Sequence, residues 1–301
     1  MKLKNLYLSL AAAVFAAGAS LTSCSVENPL DEEQYIKKVS LVGANEIIQT
    51  KKVSYSGDGS LYTSVSIGGS LPPATDVNVT IGLADDENLV VYNRKNVLPG
   101  EIKYQKLPAE WYTIDNWTVT IKQGELYARL PIKVDVSKIE CDSLYVLPLE
   151  IKSVSAYEKV QEDTVLLLNL KMINDYSGSY TYTGTVTKMN GDEPDLNSVS
   201  KINSTRTLTA VNTNTVRLFK NSDVEKMENL EGSAYTITVN SDNSLTLTPW
   251  KNLNITEGGG TYNSENNEFK IWYTTVENNT KYRTEATITT GDSGTTDKDE
   301  R

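Results

Sequence analysis

Histidine is absent from all 301 residues. That excludes any mechanism needing imidazole as base, acid or metal ligand. Cysteine is scarce, with only Cys24 and Cys141. Cys24 falls at the end of an apolar leader, so no intramolecular disulfide is expected, even in a compartment that permits one. Stability must then come from buried cores. Basic residues are also short, with 29 Lys and Arg against 39 Asp and Glu, a formal charge of −10. Lys2 and Lys4 lie in the leader, so its removal widens the acidic excess. Such a surface does not suit nucleic acid, whose phosphates call for basic partners. Past the leader there is no apolar run of membrane length and no long stretch with helical periodicity.

What is present begins with that leader. Lys2 and Lys4 form a basic n-region, and Leu6 to Ala19 an apolar core of secretory length. Leu21-Thr22-Ser23-Cys24 follows and resembles a bacterial lipobox. The expectation is a signal peptide over residues 1–23, cleavage before Cys24 and acylation of that cysteine. Several acyl chains together anchor a chain stably without a spanning helix. Residues 24–34 read as an acidic linker, with Glu27, Asp31, Glu32 and Glu33. It partly resembles the Bacteroidetes signal that sends lipoproteins to the outer face of the outer membrane, and a solvated linker reads equally well.

Residues 35–173 read as a first β domain. Leu61, Thr63, Val65 and Ile67 alternate on one face, as do Val77, Val79, Ile81 and Leu83. Leu126, Ala128, Leu130, Ile132 and Val134 form a third such set. A period of two marks half-buried antiparallel strands. Leu144–Ile151 and the almost continuously apolar Val165–Leu170 read as closing strands. Turn residues such as Ser56-Gly57-Asp58-Gly59 and Lys122-Gln123-Gly124-Glu125 separate the runs. Seven or eight such strands predict an immunoglobulin-like sandwich.

The ordered series Val91-Tyr92-Asn93, Tyr104-Gln105-Lys106-Leu107-Pro108, Ile121-Lys122-Gln123-Gly124 and Tyr145-Val146-Leu147-Pro148-Leu149-Glu150-Ile151 resembles the Bacteroidetes N-terminal lipoprotein domain of unknown function. That domain often precedes glycan-binding or glycoside-hydrolase modules in polysaccharide-utilisation loci. The residues themselves read as structural, with Pro108 and Pro148 shaping strand starts or bends.

Asn174-Asp175-Tyr176-Ser177-Gly178 reads as the boundary to a second antiparallel β domain, residues 174–290. About eight strands in simple order, with a hairpin loop at Asn240–Ser244, predict a lipocalin-like barrel or a flattened sandwich. Its Gly-x-Tyr-x-Tyr-x-Gly pattern from Gly178 and its strand order are similar to the C-terminal module common in the same family. Residues 291–301 form a polar tail.

Candidate ligand residues are aromatic. Trp272 is out of phase with Phe269, Ile271 and Tyr273, and Trp250 with Leu245 and Leu247. Tyr262 follows the Gly258-Gly259-Gly260-Thr261 stretch, read as a loop. Trp111 and Trp117 flank Tyr112–Asn116 in the first domain. Exposed indoles beside Asn, Lys or Asp suit sugar rings, which stack on them and hydrogen-bond around them. Each has a plain packing alternative.

Catalytic readings find little. Gly291-Asp292-Ser293-Gly294 mimics a protease serine loop without the histidine it needs. The carboxylates are scattered, whereas a glycosidase needs two facing each other about 5–9 Å apart. Asp85-Asp86-Glu87 lacks the alternation of a calcium loop. No cofactor or metal is expected. The resemblance and the leader together imply a non-catalytic outer-membrane lipoprotein facing the cell exterior. It would bind polysaccharide or oligosaccharide, alongside a TonB-dependent transporter and its binding lipoprotein. A structural or adhesive role, as a pilus or assembly accessory, is the alternative, and a degenerate enzyme module a third.

Overall fold

The computed structural model describes residues 32–162 and 164–290. The leader, Cys24, most of the acidic linker and the tail from residue 291 lie outside the described residues. Among the described residues no helix is long and apolar enough to cross a membrane.

The chain is all-β, in two parts. The first holds β1 (Lys38–Leu41), β2 (Ile48–Ser54), β3 (Ser60–Gly68), β4 (Val77–Leu83), β5 (Tyr104–Lys106), β6 (Tyr112–Thr113), β7 (Thr118–Ile121), β8 (Tyr127–Val134), β9 (Leu144–Val154), β10 (Glu158–Lys159) and β11 (Leu166–Ile173). One sheet runs β10-β1-β3-β8-β6 and the other β2-β11-β9-β4-β7, with β5 on β9. The alternating sets meet between them: Val65, Val77, Val79, Ile121, Leu130 and Leu149 are all fully buried in one core. Removing apolar area of this kind from water is the main force holding the sheets together.

Two features depart from the sequence expectation. Not all pairing is antiparallel, since β11 runs parallel to β2 from Leu167↔Ile48 to Ile173↔Ser54. This puts β11 between β2 and β9, which explains its continuously apolar run. A helix, α1 (Asp86–Asn96), also sits between β4 and β5. It buries only Leu89, so it has almost no apolar stripe to read. Its ends match the helix dipole instead, with Asp86 and Glu87 in the first turn and Arg94 and Lys95 in the last. The Asp85-Asp86-Glu87 cluster is this helix start, and Lys106 pairs with Asp86 at 2.5 Å.

The family motif Tyr92-Asn93 acquires a reason here. The Asn93 side chain accepts from Tyr104 N at 2.9 Å and donates to Tyr104 O at 2.7 Å. One amide thus pairs with the backbone as a neighbouring strand would. The Tyr92 and Tyr104 rings meet edge-on at 5.7 Å.

The second part is a closed barrel of β12 (Gly178–Asn190), β13 (Glu193–Ala210), β14 (Thr215–Phe219), β15 (Ala234–Val239), β16 (Ser244–Pro249), β17 (Ile255–Asn263), β18 (Glu268–Glu277) and β19 (Thr280–Thr290). Every neighbour is antiparallel, and β12 closes on β19 from Tyr180↔Thr290 to Met189↔Lys281. Closure removes the sheet edges and decides for the barrel over the flattened sandwich. Tyr180, Tyr182, Tyr235, Tyr273 and Phe269 fill the interior. Burial pushes the Tyr182, Tyr235 and Tyr273 hydroxyls well above the ordinary tyrosine range.

Asn221 binds the loop after β14 to this interior. Its side-chain oxygen accepts from Tyr273 Oη at 3.0 Å and Thr284 Oγ1 at 3.3 Å. Its carbonyl accepts from Arg206 Nε at 2.9 Å and Nη2 at 2.7 Å. Its backbone is left-handed (φ 49°), which asparagine tolerates better than most residues.

The two parts are joined tightly. Asn174 is fully buried and its amide donates to the carbonyls of Asn212 and Thr215 in the barrel. Asp142, just before β9, meets Arg217 Nη2 of β14 at 2.8 Å.

Candidate functional site

The five candidate aromatics end in different places. Trp111 and Trp117 are half-buried against the sandwich core, and Trp111 meets Tyr145 edge-on at 5.2 Å. Packing explains both. Trp250 lies at the junction of the two parts. Its Nε1 donates to Asp142 Oδ2 at 3.0 Å, and its ring packs on the Phe219, Leu230 and Ala234 cluster. Being out of phase with Leu245 and Leu247 turned it toward the sandwich rather than toward solvent.

Tyr262 needs correction. The Gly258–Thr261 stretch is not a loop but part of β17, so Tyr262 follows strand parity into the barrel. It is 9 % exposed, its ring packs on Tyr176 and Phe269, and its hydroxyl donates to Asn267 Oδ1 at 2.9 Å. Burial and the neighbouring Tyr176 hydroxyl and Asp175 carboxylate raise its pKa to about 12. It presents no free face to a ligand.

Trp272 stands on the outer wall, partly exposed, in the middle of β18. Register gives it Gly259 of β17 on one side and Glu285 of β19 on the other. Gly259 offers no side chain there, and a Cβ at that position would lie 3.7 Å from the indole. The Arg283 guanidinium lies 3.7 Å from the ring centroid, covering one face. Arg283 is itself held by Glu257 at 3.6 Å, Glu285 at 3.7 Å and Thr274 Oγ1 at 3.4 Å. The cation thus fixes the indole in one orientation, an attraction that partial desolvation strengthens.

Beside the ring is an open depression of about 600 Å³. Thr183, Thr185, Thr261, Lys270, Trp272 and Glu285 contribute to its lining. Trp272 lines this depression, whereas Arg283, Thr274 and Glu257 do not. Chemically this is an immobilised aromatic wall with hydroxyls, one ammonium and one carboxylate around it. The threonines were not singled out from the sequence, because each is an ordinary outward strand residue until β12, β19, β18 and β17 are brought side by side. The parity of Trp272 was the signal that could be read.

A second cleft, of about 610 Å³, lies between the two parts. Tyr92, Leu98, Glu101 and Tyr104 line it from the sandwich, and Lys226 and Met227 from the barrel. None of the candidate aromatics reaches it. Among the described residues no group of acidic or cysteine side chains is arranged to hold a metal ion.

A family model described as an N-terminal domain matches residues 30–158, and its companion, described as C-terminal, matches residues 164–289. No curated protein matches the chain. Among solved structures, a Bacteroides ovatus protein of unknown function is similar over 85% of this chain and 94% of its own, at 19% identity and TM-score 0.63. A multidomain protein including DUF1735, also from Bacteroides ovatus, is similar to the same extent, with 19% identity, TM-score 0.63 and 94% of its own length covered. An auxiliary nutrient binding protein from Bacteroides thetaiotaomicron is similar over 80% of this chain and 90% of its own, at 18% identity and TM-score 0.56. At these identities the likeness is one of fold.

Proposed function

We propose that this chain, whose two parts match paired N- and C-terminal family models over residues 30–158 and 164–289, is a non-catalytic glycan-binding lipoprotein of the cell surface, of the kind that serves Bacteroidetes polysaccharide utilisation. The observation that carries this reading is the Trp272 indole, held by Arg283 on one face and lining an open depression together with threonine hydroxyls. Sugars present apolar C–H faces that stack on indole, and hydroxyls that pair with Thr, Lys and Glu side chains. An open wall rather than an enclosed pocket suits capture of a polymer. The nutrient-binding description of one structural relative is consistent with such a role.

The lipobox supplies the rest of the proposal. Acylated Cys24 would hold the chain at the outer membrane, facing the exterior, beside a TonB-dependent transporter and its binding lipoprotein. The sandwich acts as spacer and the barrel meets the ligand. Affinity electrophoresis on a panel of polysaccharides tests the binding claim. At least one glycan is expected to retard the protein, and Trp272→Ala to abolish the retardation. Failure of every polysaccharide to bind the wild-type chain would sink the reading. Metabolic labelling with a palmitate analogue, lost in Cys24→Ser, tests the anchor.

A further inference from the structure

We infer that the depression beside Trp272 is a groove running across the strands, and that it takes an internal segment of a neutral glycan about three rings long. This rests on the glycan-binding reading above. The register of four neighbouring strands carries it. Thr183, Thr287, Lys270 and Thr261 face one another in a row across β12, β19, β18 and β17. Two residues along, Thr185, Glu285, Trp272 and Gly259 form a second row. Both rows point outward.

Between them lies a third row, Gly184, Ala286, Ile271 and Gly260, of the opposite parity. Ala286 and Ile271 are buried in the barrel core and the two glycines carry no side chain. The floor of the groove is therefore bare backbone, and its long axis is perpendicular to the strands. Four strands at about 4.8 Å spacing give a floor of about 14 Å, enough for about three pyranose rings.

Neither end is walled. On the β12 side the rows continue onto β13 as the exposed Asn203 and Lys201. On the β17 side the first row continues to Ser244 of β16. A chain can pass through without presenting a terminus, so recognition falls on internal units.

Charge argues for a neutral polymer. Lys270 and Glu285 stand in opposite rows with opposite signs, and Lys270 is already paired with Glu268 at 3.2 Å. Arg283 is committed to Glu257, Glu285 and the indole. The whole chain carries a formal charge of −10, which repels uronate or sulfate polymers at long range.

Titration calorimetry of the full chain against oligosaccharide ladders of one to six units tests this. Ladders from a β-glucan, an α-glucan, a mannan and a xylan serve as neutral probes, with oligogalacturonides as the anionic one. For the neutral ladder that binds, affinity is expected to rise about tenfold from one to three units and then level off. Borohydride reduction of the hexamer's end should leave its affinity unchanged. Thr183→Val, two strands from Trp272, should weaken trimers and longer chains three- to tenfold and leave single sugars unaffected. Full affinity for a monosaccharide, loss on end reduction, or preference for the oligogalacturonides would each overturn the groove while leaving glycan binding intact. Binding that survives Trp272→Ala in a folded protein would move the site elsewhere. Absence of binding to every probe would remove both the groove and the function it rests on.

Discussion

Replacing Asp142 with alanine should loosen the joint between sandwich and barrel. Asp142 sends one carboxylate oxygen to Arg217 Nη2 at 2.8 Å and accepts from Trp250 Nε1 with the other at 3.0 Å. Arg217 is 6 % exposed, so its charge has little water to fall back on. The pair is a close charge contact rather than an aligned hydrogen bond, and Arg217 Nε has no hydrogen-bond partner among the described residues. Deleting one member of a buried pair costs about 3–5 kcal/mol, because the other charge is left uncompensated. Losing the indole N–H partner adds about 1 kcal/mol. Asp142 keeps 20 % of its side chain exposed, so water re-entering its place offsets part of this. The expected loss is about 3 kcal/mol. Urea unfolding followed by tryptophan fluorescence reads it, since Trp250 reports on the joint. Asp142→Ala should shift the midpoint down and separate a sandwich transition from a barrel one. Asp142→Ala with Arg217→Met should recover at least half of the loss, because neither charge then remains. A single variant within about 1 kcal/mol of wild type would refute the reasoning, and so would strictly additive losses in the double variant.

Three further outcomes are expected. Asn221→Ala leaves the buried Tyr273 and Thr284 hydroxyls without their acceptor and puts alanine at φ 49°, so thermal melts should show a loss of about 2–4 kcal/mol; Asn221→Gly, free of the backbone strain, should lose less. Gly184→Val should destabilise by about 1–3 kcal/mol or more, since even a Cβ there would come within 2.2 Å of the Glu285 carbonyl across the β12–β19 seam; unchanged melting would mean the seam is looser than described. Burial and the adjacent Asp142 carboxylate raise the Cys141 thiol from 9.0 to about 11, so iodoacetamide at pH 8 should label it at least tenfold more slowly in the folded chain than in urea. The folded chain holds that proton longer than the unfolded one, so this group's contribution to stability is intact below pH 9 and is lost as pH rises through about 11. Equal labelling rates would show the thiol to be open.

Much of the architecture was legible in the chain because a period of two is a local property. The sets through Val65, Val79 and Leu130 found their core without knowledge of their partners. The helix α1 was not legible, since it buries a single leucine and is set by its charged ends and by the amide of Asn93. The aromatics show the same division. Parity separated Trp272 from Phe269 and Tyr273, and that held because β18 is a regular strand. Parity was not applied to Tyr262, because three successive glycines read as a loop although the pairing of β17 with β18 makes them strand. For Trp250, parity established only that it left the barrel core and could not reveal that the sandwich carboxylate of Asp142 was waiting for its indole N–H.

By itself the sequence determined the all-β class, the two-part organisation, the lack of histidine and, where strand alternation was read, which side chains leave each core. These are matters of composition and of neighbours a few residues apart. Only the tertiary structure decided that the second part closes, that its interior is filled by tyrosines, and that Thr183, Thr287, Lys270 and Thr261 lie in one row. Those residues come from four strands, two of which lie about a hundred positions apart in the chain although their residues face each other. Their alignment is set by barrel closure and hydrogen-bond register, neither of which leaves a periodic trace in any one strand.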